Sequence, residues 1–514
     1  MEFMTTTPHS TDRLHTTGPV FRPGEPGFDE EVAGFQTAYV HRPALVLGAA
    51  DAEDVRIGVE YAARQELPIA VQATGHGLSV PADGGLLIST RRMAEVAVDS
   101  VARTARVAAG APASALIAAA VERGLAPLNG SSPSVGVIGY HLGGGLGILA
   151  RSFGYAADHV RALDLVTADG RSRHLTPGDE LFGAVLGSGG NFGVVTSLEV
   201  ELFPITRVFG GQLTFGTALV EPVLEQWRQW SSAVPGEMDT SITLMTMPDL
   251  PMIPEPLRGK YIATITVAWT GSGADGEALV APLRAVGPRL ADTLRTMPYA
   301  ETHTIHGDPN FPHAYAATNA LVSDLTATAT DALLDAVGAD SEIPTVLGFR
   351  RLGGALSRPG PAGIAIDHRE AAYLGRIITG GEPQNGSDGK PRPGSDGEPR
   401  PGSDGQARSG AGGEARPSAD GQARPGTGGQ ARSNSGIPAA HDALRAHHEE
   451  FRNILSPWMI GHSLAFLYGA GDWAGEAQTR AGYAPATYTR LAALKAECDP
   501  ANLFRHNRNI RPAD

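Results

Sequence analysis

The stretch GSSPSVGVIGYHLGGGLG at residues 130–147 decides the fold assignment, and a shorter glycine turn, QATGHG at residues 72–77, supports it. In the longer stretch, glycines alternate with hydroxyl and apolar side chains, so a flat ring system could lie against the backbone. In the shorter turn, small residues let backbone N–H groups approach an anion closely. The shorter turn does not match the GxGxxG pattern of Rossmann sites. Taken singly, each is also compatible with a purely structural turn.

Around these turns, short strands and helices alternate from Pro43 to about Pro204. Asp51 is a typical helix cap before an amphipathic run, and Asp169-Gly170 predicts a hairpin between two strands. The order therefore predicts an α+β domain. The predicted strands are ALVLGA, PIAVQAT, GLLIST, TARVAAG and VVTSLEVELF, and the predicted helices are DAEDVRIGVEYAARQ and ASALIAAAVERG.

A second α/β-like region is predicted at about residues 211–375, and the tail at 441–514 begins as a helix. Between them an eight-residue unit recurs from Gly386 to about Ser435 (GSDGKPRP, GSDGEPRP, GSDGQARS). These repeats contain almost no apolar side chains and cannot bury enough surface to offset the entropy of ordering. We therefore expect a disordered surface loop.

Composition and charge exclude several classes of protein. The 514 residues carry a formal net charge of -14, whereas a nucleic-acid partner requires a basic surface. The sixteen histidines show no metal-ligand spacing, so no metal site is expected. The single cysteine, Cys498, cannot form an intrachain disulfide. With no signal peptide and no apolar run near the about 20 residues of a membrane span, we expect a cytoplasmic protein without a membrane partner.

At four separated places, in order, the chain resembles the berberine-bridge-enzyme-like branch of the vanillyl-alcohol-oxidase flavoproteins, whose FAD domain is of the PCMH type. QATGHG resembles that family's R-G-G-G-H-S turn, and residues 130–160 resemble its G-x-C-x-x-V-G-x-x-G-x-x-x-G-G-G segment. LGSGGNFGVVTSLEVELFP at 186–204 resembles its R-G-G-G-N-F-G-I-V-T strand. Residues 487–510 resemble its C-terminal N-Y-x-R-L…D-P-x-N-x-F-x-x-N-x-N-I.

The resemblance implies an α+β, two-domain PCMH-type fold in which a substrate domain, an antiparallel sheet flanked by helices, is inserted into the FAD domain. After a mobile arm at residues 1–30, the FAD domain would occupy 31–210. The substrate domain would occupy 211–454, with the disordered octapeptide-repeat loop at 383–436. Residues 455–514 would complete the FAD domain.

The resemblance also implies FAD as cofactor, with His76 at the position attached to the flavin 8α-methyl. Many relatives attach FAD a second time through a cysteine, but Ser132 stands at that position, so a single histidyl link is expected. Non-covalent FAD remains an alternative, because some relatives keep the histidine without the bond. The expected cofactor-binding residues are Gln72, Ala73, Thr74, Gly75, His76, Gly77, Ser131, Ser132, Ser134, Val135, Gly136, Gly139, Gly144, Gly145, Val195, Asn507 and Asn509.

Three residues are candidates for the catalytic base. Tyr488 matches the family's C-terminal tyrosine, while Tyr140 and His141 precede the triple glycine. A core tyrosine and a hydrogen-bonded structural histidine are the alternatives. Arg350 and Arg351 alternate on a predicted strand, so one is expected to face the cavity and recognise a carboxylate or enolate of the substrate.

The implied activity is that of an FAD-linked oxidoreductase, an oxidase acting on an alcohol, a sugar or another C–H group of a small organic substrate. The substrate is expected to be a secondary-metabolite intermediate, and O2 the electron acceptor, giving H2O2. The alternative is a redox-neutral cyclase or isomerase that uses FAD as a scaffold. Leu352 keeps this alternative open, because it stands where some relatives carry a proton-accepting tyrosine. A protein that has lost catalysis is a further alternative. The sequence does not indicate an oligomeric state.

Overall fold

The computed structural model describes residues 14–251, 253–380, 436–467 and 475–514, with the side chains of 436–441 excepted. The predicted octapeptide-repeat loop lies almost entirely outside these residues. By internal contacts the chain divides into one unit of residues 1–384 and 444–514 and another of residues 385–443. Of the second unit, only residues 436–443, which belong to a helix, are described. All further contacts given below lie within the first unit.

The first sheet has four strands in the order β1-β2-β4-β3. β1 pairs antiparallel with β2, and the other two pairs are parallel. Parallel neighbours require a crossover, which helix α2 supplies between β2 and β3. The Asp51 side chain caps α2 by accepting a hydrogen bond from the Asp54 N–H. The elements are β1 (Val20–Phe21), α1 (Phe28–Val32), β2 (Leu45–Gly48), α2 (Ala52–Arg64), β3 (Ile69–Gln72) and β4 (Leu86–Ser89).

The N-terminal arm was predicted too long. Val20 and Phe21 pair with Leu47 and Val46 as an edge strand, and Phe28 is buried in the adjoining apolar cluster. Residues 20–30 are therefore part of the folded domain, because their apolar side chains cover one face of the first sheet. Residues 1–13 of the predicted arm lie outside the described part.

The second sheet is antiparallel, with the strand order β5-β6-β9-β7-β8. The predicted hairpin at Asp169-Gly170 joins β7 to β8, and Gly170 takes the positive φ that the turn requires. The elements are β5 (Val96–Asp99), β6 (Thr104–Ala108), α3 (Ala113–Val121), α4 (Val137–Leu142), α5 (Ala150–Phe153), β7 (Val160–Val166), β8 (Ser172–Leu175), α6 (Glu180–Val185) and β9 (Val194–Glu201).

The third sheet has nine antiparallel strands in the order β13-β10-β12-β11-β16-β17-β15-β18, with β14 also paired to β10. One face packs against helices through an apolar cluster that includes Trp227, Phe349 and Phe451. The elements are β10 (Arg207–Phe215), α7 (Val220–Ala233), β11 (Asp239–Thr246), β12 (Tyr261–Trp269), α8 (Gly273–Arg284), β13 (Ala291–Asp292), β14 (Arg295–Pro298), β15 (Tyr315–Val322), α9 (Ala327–Val337), β16 (Thr345–Arg351), β17 (Tyr373–Gly380), α10 (Gly436–Leu455) and β18 (Met459–Gly461).

The C-terminal segment returns to the first sheet through α11 (Glu476–Arg480) and α12 (Pro485–Cys498). Lys495 is fully buried and donates to the Asp499 carboxylate at 2.7 Å and to the Phe504 carbonyl at 3.1 Å. The Ile69 N–H of β3 donates to the Leu503 carbonyl at 2.8 Å. These contacts fix residues 503 and 504 beside the start of β3.

The predicted α+β class, with an antiparallel sheet flanked by helices, is confirmed. Within the described ranges, no helix combines the length and the apolar character needed to cross a membrane.

Candidate functional site

A cavity of about 550 Å³ lies where both predicted glycine turns meet the polar face of the nine-stranded sheet. Its walls come from the turn after β3, the segment around α4, the glycine loop before β9 and strands β11, β16 and β17. The loop before β15 and the C-terminal segment close it. Sequence positions more than 400 residues apart therefore contribute to one site.

The turn after β3 presents backbone donors to this cavity. Gly75 has a φ of 73°, and a Cβ there would lie 2.6 Å from the Gly34 Cα, so a side chain does not fit. The Thr74 and Gly75 carbonyls accept hydrogen bonds from Phe35 and Gln36, which hold the turn in place. In the described part of the chain, the backbone N–H groups of residues 74–77 have no acceptor. Four unsatisfied donors at a cavity wall suit an anionic ligand.

Two contacts of the ring and one of the backbone carbonyl hold His76 in place. Its ring stacks on Phe35 with centroids 3.6 Å apart, and its Nε2 lies 2.7 Å from the Ser134 hydroxyl oxygen. Its carbonyl accepts a hydrogen bond from the Tyr315 hydroxyl at 2.7 Å. Burial lowers the pKa of His76 to about 4, with Asp308 opposing the shift. The imidazole is therefore neutral at physiological pH.

The segment around α4 lines the cavity with glycines and with Tyr140. A Cβ on Gly139 would meet no atom within 4 Å, so open space lies in front of this residue. Around the Tyr140 ring the packing is tight, because a Cβ on Gly145 would lie 2.8 Å from that ring. The Tyr140 hydroxyl is buried without a hydrogen-bond partner among the described residues. Burial raises the pKa of Tyr140 far above its ordinary value, so it is no ready base.

His141, one of the three candidate bases, lies behind the cavity wall, and its role as a base stays a prediction. The neighbouring residues 139, 140, 142 and 143 line the cavity, whereas His141 does not. Its Nδ1 donates to the Val137 carbonyl at 2.8 Å, and burial lowers its pKa to about 4. Successive residues of a helix point about 100° apart, so the residue beside Tyr140 turns into the core.

Tyr488 also lies outside the cavity, so its role as base or substrate anchor stays a prediction that this position does not support. It sits on α12 with only 3% of its surface exposed, among core residues that include Tyr483 and Leu491. Its hydroxyl lies 3.5 Å from Glu476, and the Arg480 guanidinium lies over its ring. Burial raises its pKa. These surroundings are those of a core tyrosine on the packed face of α12.

The two arginines of β16 point to opposite faces of the strand, as alternation predicts. Their contacts do not fit the predicted recognition of a substrate carboxylate or enolate. Arg350 lines the cavity, yet its guanidinium donates to Asp239 at 2.7 Å and to the Leu146 and Gly147 carbonyls. These partners leave it no bidentate face for a substrate carboxylate. Arg351 points away, donates to the Ala372 carbonyl and lies over the Tyr373 ring rather than in solvent. Neither is placed as a substrate anchor.

Most of the predicted cofactor-binding residues lie on the cavity wall, while Ser134, Gly144 and Asn509 do not. Ser134 stands one layer behind, bonded to His76, and a Cβ on Gly144 would face Ile366. Their roles toward a cofactor stay predictions. The residues on the wall are Gln72, Ala73, Thr74, Gly75, His76, Gly77, Ser131, Ser132, Val135, Gly136, Gly139, Gly145, Val195 and Asn507.

Sequence reasoning missed one wall of the cavity. His306, Asp308, His313 and Tyr315 come from the loop and strand that read HGDPNFPHAY, and Arg376 comes from β17. Histidine, aspartate and two prolines between regular elements were an available signal for a functional loop. No local sequence pattern indicates which wall of the cavity this loop lines.

Two family models match the chain. One is described as an FAD binding domain and matches residues 43–176, and the other, described as berberine and berberine like, matches residues 479–511. These regions contain the turn with His76, the α4 segment and the C-terminal return to the first sheet. In both regions the chain is therefore similar to the berberine-bridge-like FAD-linked oxidoreductases.

Individual relatives agree with this family. The chain is 35% identical to (R)-6-hydroxynicotine oxidase of Paenarthrobacter nicotinovorans over 213 residues, which are 40% of this chain and 46% of that enzyme. The match thus spans just under half of that relative. The fold resembles the crystal structure of 6-hydroxy-D-nicotine oxidase from Arthrobacter nicotinovorans, with a TM-score of 0.75 at 22% identity over 98% of this chain and 100% of that one. It also resembles chitooligosaccharide oxidase, with a TM-score of 0.74 at 19% identity over 97% and 98% of the two chains.

FAD is the cofactor of this berberine-bridge-like chain, and its cavity fits that molecule. The N–H groups of residues 74–77 suit the pyrophosphate, and the open space before Gly139 suits a flat ring. The buried Asn507 Oδ1 accepts no hydrogen bond from the described residues, so it is available to a ligand donor. The polar face of the nine-stranded sheet would then cover the ring system.

Proposed function

We propose that this protein is an FAD-dependent oxidase for an alcohol, a sugar or another C–H group of a small organic substrate. We further propose that this substrate is a secondary-metabolite intermediate. FAD held through His76 would accept the hydride, and dioxygen would take up the electrons as hydrogen peroxide. The names of the relatives, a hydroxynicotine oxidase and a chitooligosaccharide oxidase, support oxidation of small polar molecules.

The observation that carries this proposal is the cavity itself, in which unsatisfied backbone donors and polar side chains of the nine-stranded sheet line one space. Ser241 and Thr243 of β11 and Arg376 of β17 line its sheet side, where substrate hydroxyls can form hydrogen bonds. Leu464 and Phe466 add apolar surface that excludes water.

His306 is the residue we assign as proton acceptor in place of Tyr488. It lines the cavity together with Asp308, and burial lowers its pKa, so its imidazole is neutral and able to accept a proton. Asp308 acts in the opposite direction and favours the imidazolium that would form. The positive charges of Arg350 and Arg376 keep the resting ring unprotonated.

The test is anaerobic mixing of the purified yellow protein with panels of alcohols, sugars and cyclic amines, followed by admission of air. An oxidase substrate bleaches the flavin absorbance, and air restores it with one hydrogen peroxide per substrate. His306→Gln should slow bleaching by about 10²–10⁴-fold, the usual contribution of a general base. Bleaching without peroxide on aeration would indicate a dehydrogenase instead.

A redox-neutral cyclase is the second candidate, and one observation favours it. Leu352 is buried among Leu146 and Leu374, and Tyr488 lies in the core, so neither supplies the tyrosine base that some relatives use. Turnover of a substrate while the flavin stays oxidised would support the cyclase and contradict the oxidase.

A further inference from the structure

A short chain of hydroxyl groups lies behind His76. The His76 Nε2 is 2.7 Å from the Ser134 Oγ, which is itself 3.0 Å from the Ser132 Oγ. The stacked Phe35 ring prevents the imidazole from tilting away. For the other ring nitrogen, Nδ1, the described residues offer no hydrogen-bond partner. One nitrogen is therefore occupied by protein, and the other is available to a ligand in the cavity.

We propose that Ser134 is a positioning residue that keeps the His76 proton on Nε2 and leaves the Nδ1 lone pair facing the bound flavin. This inference rests on the proposed covalent attachment at His76. A neutral imidazole has one donor and one acceptor nitrogen, and the partner of one nitrogen determines which is which. Ser134 can accept from Nε2–H while donating its own proton to Ser132, so the arrangement satisfies all three groups.

The chemistry of attachment gives this hydrogen bond a second use. Attachment forms a bond between Nδ1 and the 8α carbon of FAD and breaks one C–H bond of that methyl group. The imidazole also loses its Nε2 proton, so two protons and two electrons leave in total. Dioxygen, the oxidant of the proposed reaction, accepts them as hydrogen peroxide.

The hydroxyl chain provides the route for the Nε2 proton. Before attachment Ser134 accepts from Nε2–H, and after attachment it donates to the bare Nε2, so the hydrogen bond reverses. A hydroxyl can take either part because its proton rotates. Ser134 passes its own proton to Ser132 at 3.0 Å, and Ser132, which lines the cavity, releases its original proton there, where it ends in the hydrogen peroxide. An alanine at 134 would break this chain at the imidazole, whereas an alanine at 132 would shorten it by one step.

The experiment compares wild type, Ser134→Ala, Ser134→Thr, Ser132→Ala and His76→Ala as full-length purified proteins supplied with FAD. Total flavin per chain is measured by absorbance, and attached flavin by fluorescence in denaturing gels at successive times. We expect Ser134→Ala to hold wild-type total flavin but to attach it at least about tenfold more slowly, the effect of one lost hydrogen bond. Ser134→Thr, which keeps the hydroxyl, should attach FAD at about the wild-type rate.

Ser132→Ala is the matched control, because it removes the same group one position further from the imidazole. It should slow attachment less than Ser134→Ala does. Wild-type attachment in Ser134→Ala would overturn the role of Ser134 and leave the histidyl link intact. Flavin that stays unattached in the wild type would instead remove the proposed link itself, and His76→Ala defines that baseline.

Discussion

Arg350 donates to Asp239 at 2.7 Å, and the side chains of this pair are only 14% and 6% exposed. The pair joins β16 to β11, since Arg350 stands opposite Ser241 in the sheet register. The same guanidinium reaches the Leu146 and Gly147 carbonyls, which follow the triple glycine. One side chain thus connects the nine-stranded sheet to the glycine-rich segment that follows α4.

This connection predicts a large loss of stability for Arg350→Ala. The substitution leaves the Asp239 carboxylate buried without its partner, which typically costs about 3–5 kcal/mol of unfolding free energy. Urea denaturation measures it. Arg445→Ala, in an exposed pair with Glu449, is the control and should cost less than about 1 kcal/mol. A loss for Arg350→Ala no larger than this control would contradict the structural role.

Alanine substitutions at two glycines of the α4 segment should have different effects on the stability of the fold. Gly139 lies within α4 with open space before it, so Gly139→Ala should fold as well as wild type or gain up to about 1 kcal/mol from helix propensity. Its new methyl group would occupy cavity space, so flavin per chain should fall. Gly145→Ala should destabilise the fold, because φ is 76° and a Cβ would lie 2.7 Å from Ala156. Thermal unfolding and the flavin-to-protein absorbance ratio separate these effects, and full flavin occupancy in Gly139→Ala would count against the proposed ring position.

His141 predicts a pH dependence of stability. Burial lowers its pKa to about 4, so the unfolded chain binds a proton at higher pH than the folded chain. The contribution of the neutral His141 ring to the unfolding free energy is complete above the unfolded pKa of about 6.5. It declines as the pH falls toward about 4. In that window, His141→Gln should reduce the slope of unfolding free energy by about 1.4 kcal/mol per pH unit. Denaturant titrations at several pH values measure the slope, and a slope in His141→Gln equal to that of the wild type would contradict the prediction.

The position of Tyr488 in the core predicts that the variant Tyr488→Phe keeps its activity. Its hydroxyl lies 3.5 Å from the Glu476 carboxylate and also interacts with the Arg511 backbone, and the residue does not line the cavity. Tyr488→Phe should therefore leave kcat and its pH profile unchanged once a substrate is in hand. Loss of a catalytic base would lower kcat by about 10²–10⁴-fold, so the two readings separate clearly. A loss of that size would restore Tyr488 as a catalytic residue.

The sequence by itself determined what depends on local backbone geometry. The cap at Asp51, the hairpin at Asp169-Gly170 and the turn containing His76 lie where the pattern predicts them. Caps, hairpins and glycine turns depend on the sterics and hydrogen bonds of a few neighbouring residues. The family followed from the same turns, because their order along the chain is itself sequence information.

Only the tertiary structure decided which side chains face the cavity. Tyr488 and His141 carry suitable groups, but their helices pack them into the core, and Arg350 is already paired. His306 enters the site from a loop about 230 residues from His76 in sequence. The direction of a side chain depends on which elements pack against its own, and such packing is a sum of long-range contacts that no local pattern encodes.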